Sequence, residues 1–494
     1  MTRQVVVAGY GMAAARLVEE LRLRDPAGDR VAVTVLGAEE VPAYNRVLLS
    51  GVLAGGLTAG DLALHRPGWA AAHGIDVRLG NRVVGVDRQR RRVAVGSGET
   101  ASGETATGDT VPYDQLVLAT GSSPWVPPGL DGPGVVAFRT LADCAEILGA
   151  ASGRVVVLGG GLLGLEAARG LAGRGADVTV VHPGAHLMER QLDAGAGRVL
   201  ARTLTGLGVR VRLGALATRY DRARRGLHLD DESVLAADLV VVAAGVRPEV
   251  ALARDAGLAV RRGVVVDDRM RSVTDPRVRA LGDCAEHRSA VYGLVQPAWE
   301  QATVLADLLT GADRAARYPG SRTVTRLKAR DVDLASMGDP RGEDDPAAGV
   351  EALELTDPSR GRYARLVLRD GRVTGAIALG FPEAAARLTQ LYDSDLPAPS
   401  DRLGLLVGGA VQGEVREAAG PAQLPDRAVV CRCNGVTKGR LVAAWTAGAR
   451  TVAGLAEATR ATTGCGGCTD TVCGLAEWLD RTDPAQVPME EGAA

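Results

Sequence analysis

The apolar positions of this chain fall first into short unbroken runs rather than alternations. Gln4 to Ala8 is such a run, with the length of a buried strand, and it stops at a glycine turn. From Ala13 to Arg24 the apolar residues Ala14, Leu17 and Leu21 recur at helical spacing, and Val31 to Leu36 is a second strand-like run. Strand, glycine turn, helix and strand together predict the unit of a doubly wound parallel sheet. The same unit restarts at Arg154, in VVVLGGGLLGLEAARGLAGRGADVTVVH. Between the two lies an antiparallel stretch, VRLGNRVVGVDRQRRRVAV, followed by a low-complexity repeat from Ser97 to Thr110. Small polar residues of that kind suit an exposed hairpin tip. The chain returns through YDQLVLATG, a strand ending on Gly121.

From about Arg322 to Gly408 the pattern changes to alternating strands, RYARLVLRDGRVTGAIALG, then a helical run, PEAAARLTQLYD. This predicts a small α+β domain. GEVREAAGPAQLPD has the composition of a linker. Beyond it, residues 427–482 carry two helical patterns around cysteine-bearing loops. A chain of 494 residues is expected to form three or four domains rather than one core.

Composition removes several classes of function. A net charge of −2 gives no electrostatic footprint for nucleic acid or an anionic membrane, and 3% aromatics leave few stacking platforms. Lys328 and Lys438 are the only lysines, so nearly all positive charge is arginine. No apolar stretch reaches the roughly 18 residues of a membrane span, and the N-terminal apolar run is too short and glycine-broken for a signal peptide. A cytoplasmic protein is expected. Seven cysteines at these spacings do not suggest a secreted disulfide scaffold.

Candidate chemistry concentrates in two glycine fingerprints and one cysteine array. In GYGMAA, Gly9 permits the tight turn, Gly11 lets backbone approach a pyrophosphate, and Ala14 keeps the helix close to the strand. The next strand leads to Glu39 and Glu40, either of which could accept from a ribose hydroxyl. Gly159, Gly161 and Gly164 in GGGLLG repeat the logic for a second dinucleotide. There the following strand ends at His182 where an acid would favour NADH. Arg174 and Arg190 are near enough in sequence to reach a 2′-phosphate, so the choice between NADH and NADPH stays open. Cys431, Cys433, Cys465 and Cys468 form a Cys-x-Cys and Cys-x-x-Cys array, which suits the two irons of a 2Fe–2S cluster. Zinc is the competing ligand, although structural zinc favours wider spacing in both pairs.

The two fingerprints, the ATG strand end at Ala119 to Gly121, AAGVRP at Ala243 to Pro248 and GDCAEH at Gly282 to His287 occur in one order. Together they resemble the two-dinucleotide-domain flavoprotein disulfide reductase family over about residues 1–315. The resemblance implies a FAD-binding domain (1–122 and 246–315) with an NAD(P)-binding domain (123–245) inserted in it. By the same resemblance Val83, Thr120, Gly121, Asp283 and Gln301 contact the flavin, with Asp283 on the ribityl chain. Arg46, in the triplet Tyr44-Asn45-Arg46, would place a cation beside flavin N5. Glu166 would face the nicotinamide amide, and Gly245 would line the dinucleotide cleft. The family's redox-active cysteine pair has no counterpart here, because Cys144 and Cys284 stand alone. Electrons must then leave the flavin another way.

VCRCNGVTKGRL…TTGCGGC resembles the bacterioferritin-associated-ferredoxin-like 2Fe–2S domain, with Cys473 as a packing residue beyond it. The domain order (1–315, an α+β domain at 320–408, a linker at 409–426 and a helical 2Fe–2S domain at 427–482) resembles the flavin-bearing part of assimilatory nitrate and nitrite reductases. YNRVLLSGVLAGG and VHPGAHLMERQLD add to that likeness. The sirohaem module of full-length nitrite reductases needs further cysteines, so the expectation is an electron-transfer subunit serving a separate nitrate or nitrite reductase. A reductase for an oxygenase's ferredoxin or rubredoxin, and a redox- or iron-sensing adaptor, are the alternatives. The α+β domain is expected to serve as a homodimer interface or a platform for the acceptor.

Overall fold

The computed structural model describes residues 2–97, 106–407, 424–431, 434–463 and 468–482. It divides into two compact units, residues 1–408 and 409–494. Most of the Ser97–Thr110 repeat and of the 409–426 linker lies outside the described residues.

Arg3–Ala8 is the central strand of a five-stranded parallel sheet. Gln115–Leu118 and then Val278–Ala280 lie on one side of it, Val31–Leu36 and Ile75–Arg78 on the other. Val5, Val6 and Val7 are at most 2% exposed, so the strand is covered on both faces and only an uninterrupted apolar run suits that position. Helix Met12–Arg24 buries Leu17, Val18 and Leu21 and packs on helix Val295–Thr310, which returns from the far end of the fold. The antiparallel strands Asn81–Asp87, Arg92–Ser97 and Ala106–Pro112 form a separate three-stranded sheet.

A second five-stranded parallel sheet runs Val209–Leu213, Asp177–His182, Arg154–Leu158, Leu239–Val242 and Val135–Ala137. The chain leaves the first fold through Ser122–Pro124 and re-enters it through Val246–Pro248, and these two strands pair antiparallel. The second fold is therefore an insertion whose entry and exit are hydrogen-bonded neighbours.

Residues beyond Val324 build a five-stranded antiparallel sheet, in the order Val324–Leu327, Leu334–Gly338, Arg372–Leu379, Arg362–Arg369 and Val350–Asp357. The two-residue side-chain period splits its faces. Ala364, Leu366, Ala376 and Ala378 pack with Leu388 of helix Pro382–Ser394. Tyr363, Ile377 and Leu379 join Leu165 and Leu200 of the inserted fold in a single core. The Tyr363 hydroxyl also donates to Asp193 Oδ2 at 2.6 Å, across the same seam. The α+β domain is thus packed into the nucleotide-binding folds rather than tethered to them.

In the second unit a hairpin, Val429–Cys431 with Val436–Thr437, precedes helices Lys438–Thr446, Val452–Thr459 and Thr469–Thr482. Val436, Leu441, Trp445, Leu455, Val472 and Leu475 form its core together with Cys431 and Cys468. No helix among the described residues is long and apolar enough to cross a membrane.

Ile377 is fully buried in the seam shared by the third sheet and the inserted fold. Ile377→Ala is expected to destabilise this unit by about 3 kcal/mol through the cavity it leaves. Thermal unfolding should show the transition of the inserted fold moving down with that of the third sheet. An inserted-fold transition unchanged from wild type would contradict the shared core.

Candidate functional site

The two glycine turns are built alike, atom for atom. Gly9 has φ +105°, and a Cβ there would lie 2.3 Å from the Ala119 carbonyl oxygen at the end of the neighbouring strand. Gly159 has φ +121°, and its Cβ would lie 2.3 Å from the Ala243 carbonyl oxygen. Only glycine permits either approach. A Cβ on Gly164 would meet the Gly159 carbonyl oxygen at 2.0 Å, which brings the second helix close against its strand. Ala14 holds the corresponding position of the first turn, where its methyl is accommodated and fully buried.

Gly11 and Gly161 behave differently. Each is the extended N-cap of its helix, with no side-chain cap, and a Cβ at either position would meet nothing within 4 Å. The first-turn N–H groups of both helices accordingly face open space, and the helix dipole favours an anion there. These cradles fit the pyrophosphates of two dinucleotides. Gly121 and Gly245, which follow the strands flanking each turn, have φ +73° and +112° and open space at the Cβ position. The Thr120 hydroxyl donates to the Glu249 carbonyl at 2.7 Å.

The other expected flavin contacts lie around the first turn. Glu39 forms an ion pair with Arg46 and accepts from the Tyr44 hydroxyl at 2.9 Å. The Arg46 guanidinium sits 4.9 Å over the Tyr44 ring and donates to the Arg139 carbonyl at 3.3 Å. Two residues expected to act apart, Glu39 on a ribose and Arg46 at the flavin, are therefore one cluster. Glu39 keeps 40% of its side chain exposed, and Glu40 is exposed. Asp283 receives Ser122 Oγ at 2.6 Å and Arg139 Nη2 at 2.9 Å, both on Oδ2. Gln301 is 2% exposed and accepts the Gly282 N–H at 2.8 Å, so it fixes the turn that presents Asp283. Val83 is half-buried in its strand, paired with Val95.

At the second turn, His182 Nδ1 accepts the Gly160 N–H at 3.2 Å, which assigns its proton to Nε2. Burial holds the His182 pKa below the usual histidine value, so it offers no positive charge to a 2′-phosphate at neutral pH. Glu166 occupies the fifth position of helix Leu162–Ala172 and is 3% exposed. Its carboxylate is bound by Ser50 of the first fold and by Lys328 of the third domain. Neither Ser50, Lys328 nor Arg139 was expected at the site from the sequence. The one available signal was the rarity of lysine.

Of the four array cysteines, Cys433 and Cys465 lie outside the described residues. Cys431 is fully buried and Cys468 is 6% exposed. Asn434 Nδ2 lies 3.8 Å from Cys431 Sγ and also donates to the Arg460 carbonyl at 2.6 Å. The same 460–463 loop supplies the Thr462 N–H to Cys468 Sγ at 3.3 Å. Both sulfurs accept N–H bonds, Cys431 from a side chain tied to that loop and Cys468 from the loop itself. That donor set fits a buried iron–sulfur cluster. Cys144 and Cys284 are buried elsewhere, and burial pushes the Cys144 thiol up to about 12 and raises that of Cys284 as well. Cys473 is half-buried on helix Thr469–Thr482.

Two nucleotide-binding folds, one inserted in the other, together with a cysteine-bearing small domain as a second unit, define a dinucleotide-dependent redox protein. The chain belongs to the pyridine nucleotide-disulphide oxidoreductase family, which it matches over residues 3–302. Residues 324–395 match the rubredoxin NAD+ reductase C-terminal domain, and 429–477 the BFD-like [2Fe-2S] binding domain. Over 476 residues, 94% of the chain, it is 36% identical to the nitrite reductase [NAD(P)H] of Bacillus subtilis (strain 168), covering 56% of that protein. It is 35% identical over 98% of its length to the assimilatory nitrate reductase electron transfer subunit of the same organism, covering 61% of it. The chain thus spans less than two thirds of these relatives. Among solved structures, the putidaredoxin reductase–putidaredoxin complex matches with a TM-score of 0.71 at 26% identity, over 83% of this chain and 96% of that one. The protein is an NAD(P)H-dependent oxidoreductase whose cofactors are FAD and a 2Fe–2S cluster.

The contrast among the glycines is testable. Gly11→Ala should fold with a melting temperature within about 2 °C of wild type in the absence of flavin, yet retain less than about a tenth of the bound FAD, because the methyl occupies the pyrophosphate cradle. Gly9→Ala should cost roughly 3 kcal/mol or more from the clash and the positive φ. Flavin absorbance per chain and thermal melting separate the two.

Proposed function

We propose that this protein carries electrons from NAD(P)H through FAD and the 2Fe–2S cluster to a separate catalytic subunit of nitrate or nitrite reductase. The observation that supports this reading most directly is the pairing of two pyrophosphate cradles in one unit with buried, N–H-bonded cysteines in the other. FAD takes up a hydride from the dihydronicotinamide, and a 2Fe–2S cluster passes electrons singly.

The chain's own residues position and insulate rather than react. Gly9, Gly11 and Ala14, and then Gly159, Gly161 and Gly164, seat the two pyrophosphates on helix N-termini. Gln301 and Arg139 hold Asp283 for the ribityl chain, and Arg46 supplies a cation for the flavin side of the site. Cys431, Cys433, Cys465 and Cys468 ligate the cluster, with Asn434 and the Thr462 N–H stabilising two of the four sulfurs. No general acid or base is required, so positioning carries the rate. The nitrate assignment draws on the likeness to the electron transfer subunit over 98% of this chain. A second reading, a reductase for a ferredoxin or rubredoxin, draws on the match at 324–395 and on the putidaredoxin reductase fold.

Cys431→Ser separates flavin from cluster. The variant should keep NAD(P)H-dependent reduction of a dye within about twofold, while electron delivery to a nitrate reductase catalytic subunit falls at least roughly 100-fold. Undiminished delivery would remove the cluster from the path. If wild-type protein reduces a rubredoxin or ferredoxin well and a nitrate or nitrite reductase subunit not at all, the second reading replaces the first.

A further inference from the structure

We propose that Lys328 reads the carboxamide oxygen of the bound nicotinamide, and that Glu166 is the positioning residue that holds it there. The inference rests on the NAD(P)H–flavin reading above and deepens it.

The chain has 57 lysines and arginines together, of which only Lys328 and Lys438 are lysine. Lys328 follows strand Val324–Leu327 of the third domain and meets Glu166 of the inserted fold. Ser50, on the short helix Leu49–Leu53 just after Arg46, meets the same carboxylate from the first fold. One carboxylate thereby gathers groups from all three domains of the unit.

Glu166 Oε1 accepts the Lys328 backbone N–H at 3.0 Å and its Nζ at 3.0 Å. Oε2 accepts Ser50 Oγ at 2.8 Å and the same Nζ at 3.2 Å. A carboxylate offers about four lone-pair positions, and here all are taken. With 2% of its side chain exposed, Glu166 has neither an open acceptor nor an open face for an approaching amide. Lys328 is the opposite case, for its side chain is 20% exposed. Its ammonium carries three donors, of which the carboxylate engages two.

With both dinucleotides bound, a hydride could pass only where the nicotinamide meets the flavin, at the seam of the two nucleotide folds. That transfer would break the C4–H bond and form N5–H, oxidising the nicotinamide and reducing the flavin by two electrons. No proton moves through Lys328, which contributes a hydrogen bond alone. Ser50 and Glu166 mark that seam, and Lys328 is the member of the cluster with a donor to spare. An arginine would present a planar fork matched to the carboxylate instead of a compact third donor.

The test is a titration of the flavin-loaded protein with NAD+, with its 3-acetylpyridine analogue and with ADP-ribose. The analogue keeps the carbonyl oxygen but replaces the amide NH2 by methyl, and ADP-ribose lacks the ring. Wild type should bind NAD+ and the analogue within about threefold of each other, both about tenfold tighter than ADP-ribose. Lys328→Met should bring NAD+ and the analogue to the ADP-ribose level and leave ADP-ribose within about twofold. Should Lys328→Met fail to fold with its carboxylate partner stranded, Lys328→Met/Glu166→Gln removes both charges and should show the same selective loss.

Three outcomes overturn the proposal. An analogue bound no better than ADP-ribose by wild type would mean that an acceptor reads the amide N–H. Equal weakening of all three ligands in the variant would make Lys328 structural. Equal binding of NAD+ and ADP-ribose by wild type would leave no contact to the ring. A purified protein without flavin absorbance, or one that binds none of the three, refutes the underlying reading instead.

Discussion

Everything in the first unit depends on a backbone approach that a single methyl group would prevent. Gly9 sits against the Ala119 carbonyl and Gly159 against the Ala243 carbonyl, each with a would-be Cβ 2.3 Å from oxygen. Because the turn is that tight, the following helix starts directly over the strand end and points its unpaired N–H groups outward. A capping side chain would satisfy those groups and close the anion site. Neither Gly11 nor Gly161 supplies one, so folding leaves a deficit that a pyrophosphate completes. The repetition of the same geometry twice in one chain places two dinucleotides within one framework, and the paired strands Ser122–Pro124 and Val246–Pro248 join the two copies.

The seam between the copies raises a different physical problem, since a carboxylate there is buried. An isolated buried carboxylate would take up a proton or resist burial. Glu166 is instead met by the ammonium of Lys328 and the hydroxyl of Ser50. The energetic consequence is that the third domain cannot drift from the nucleotide folds without stranding that charge. Its sheet already shares a core with them through Ile377 and Leu379. Apolar packing supplies the attachment, and the ion pair sets the register.

Much of this architecture was legible in the chain. The apolar runs at Gln4–Ala8 and in VVVL marked the central strands, since a strand covered on both faces tolerates no polar alternation. The glycine positions announced the turns, because few other constraints demand glycine at those spacings. The functional side chains were harder to read. Lys328 lies 162 residues from Glu166, and no local pattern reports such a contact. Arg139 reaches Asp283 across 144 residues for the same reason. Glu39 and Arg46 were read as separate parts of a site, but the strand end and the turn after it bring them into a direct ion pair, with Tyr44 beside both. Spacing along a chain predicts backbone, whereas charge pairing follows from topology.

The cysteines show how one residue type is divided between two fates. Cys284 donates its thiol to the carbonyls of Leu118 and Leu281, each at 3.4 Å, and Cys144 lies 3.8 Å from the Leu49 carbonyl. Burial raises the pKa of both thiols, to about 12 for Cys144, and outweighs the Thr120 and Gly121 donors that pull Cys284 the other way. Cys431 and Cys468 accept from the Asn434 amide and the Thr462 N–H. A buried thiolate without a metal would be costly in that core. What sets Cys431 and Cys468 apart is their place in the four-cysteine array of the small domain, whereas Cys144 and Cys284 stand alone among the nucleotide-binding folds. A fold whose relatives are named for disulphide chemistry thereby dispenses with a thiol pair at the flavin. The array cysteines lie in a separate domain, where iron can hold them.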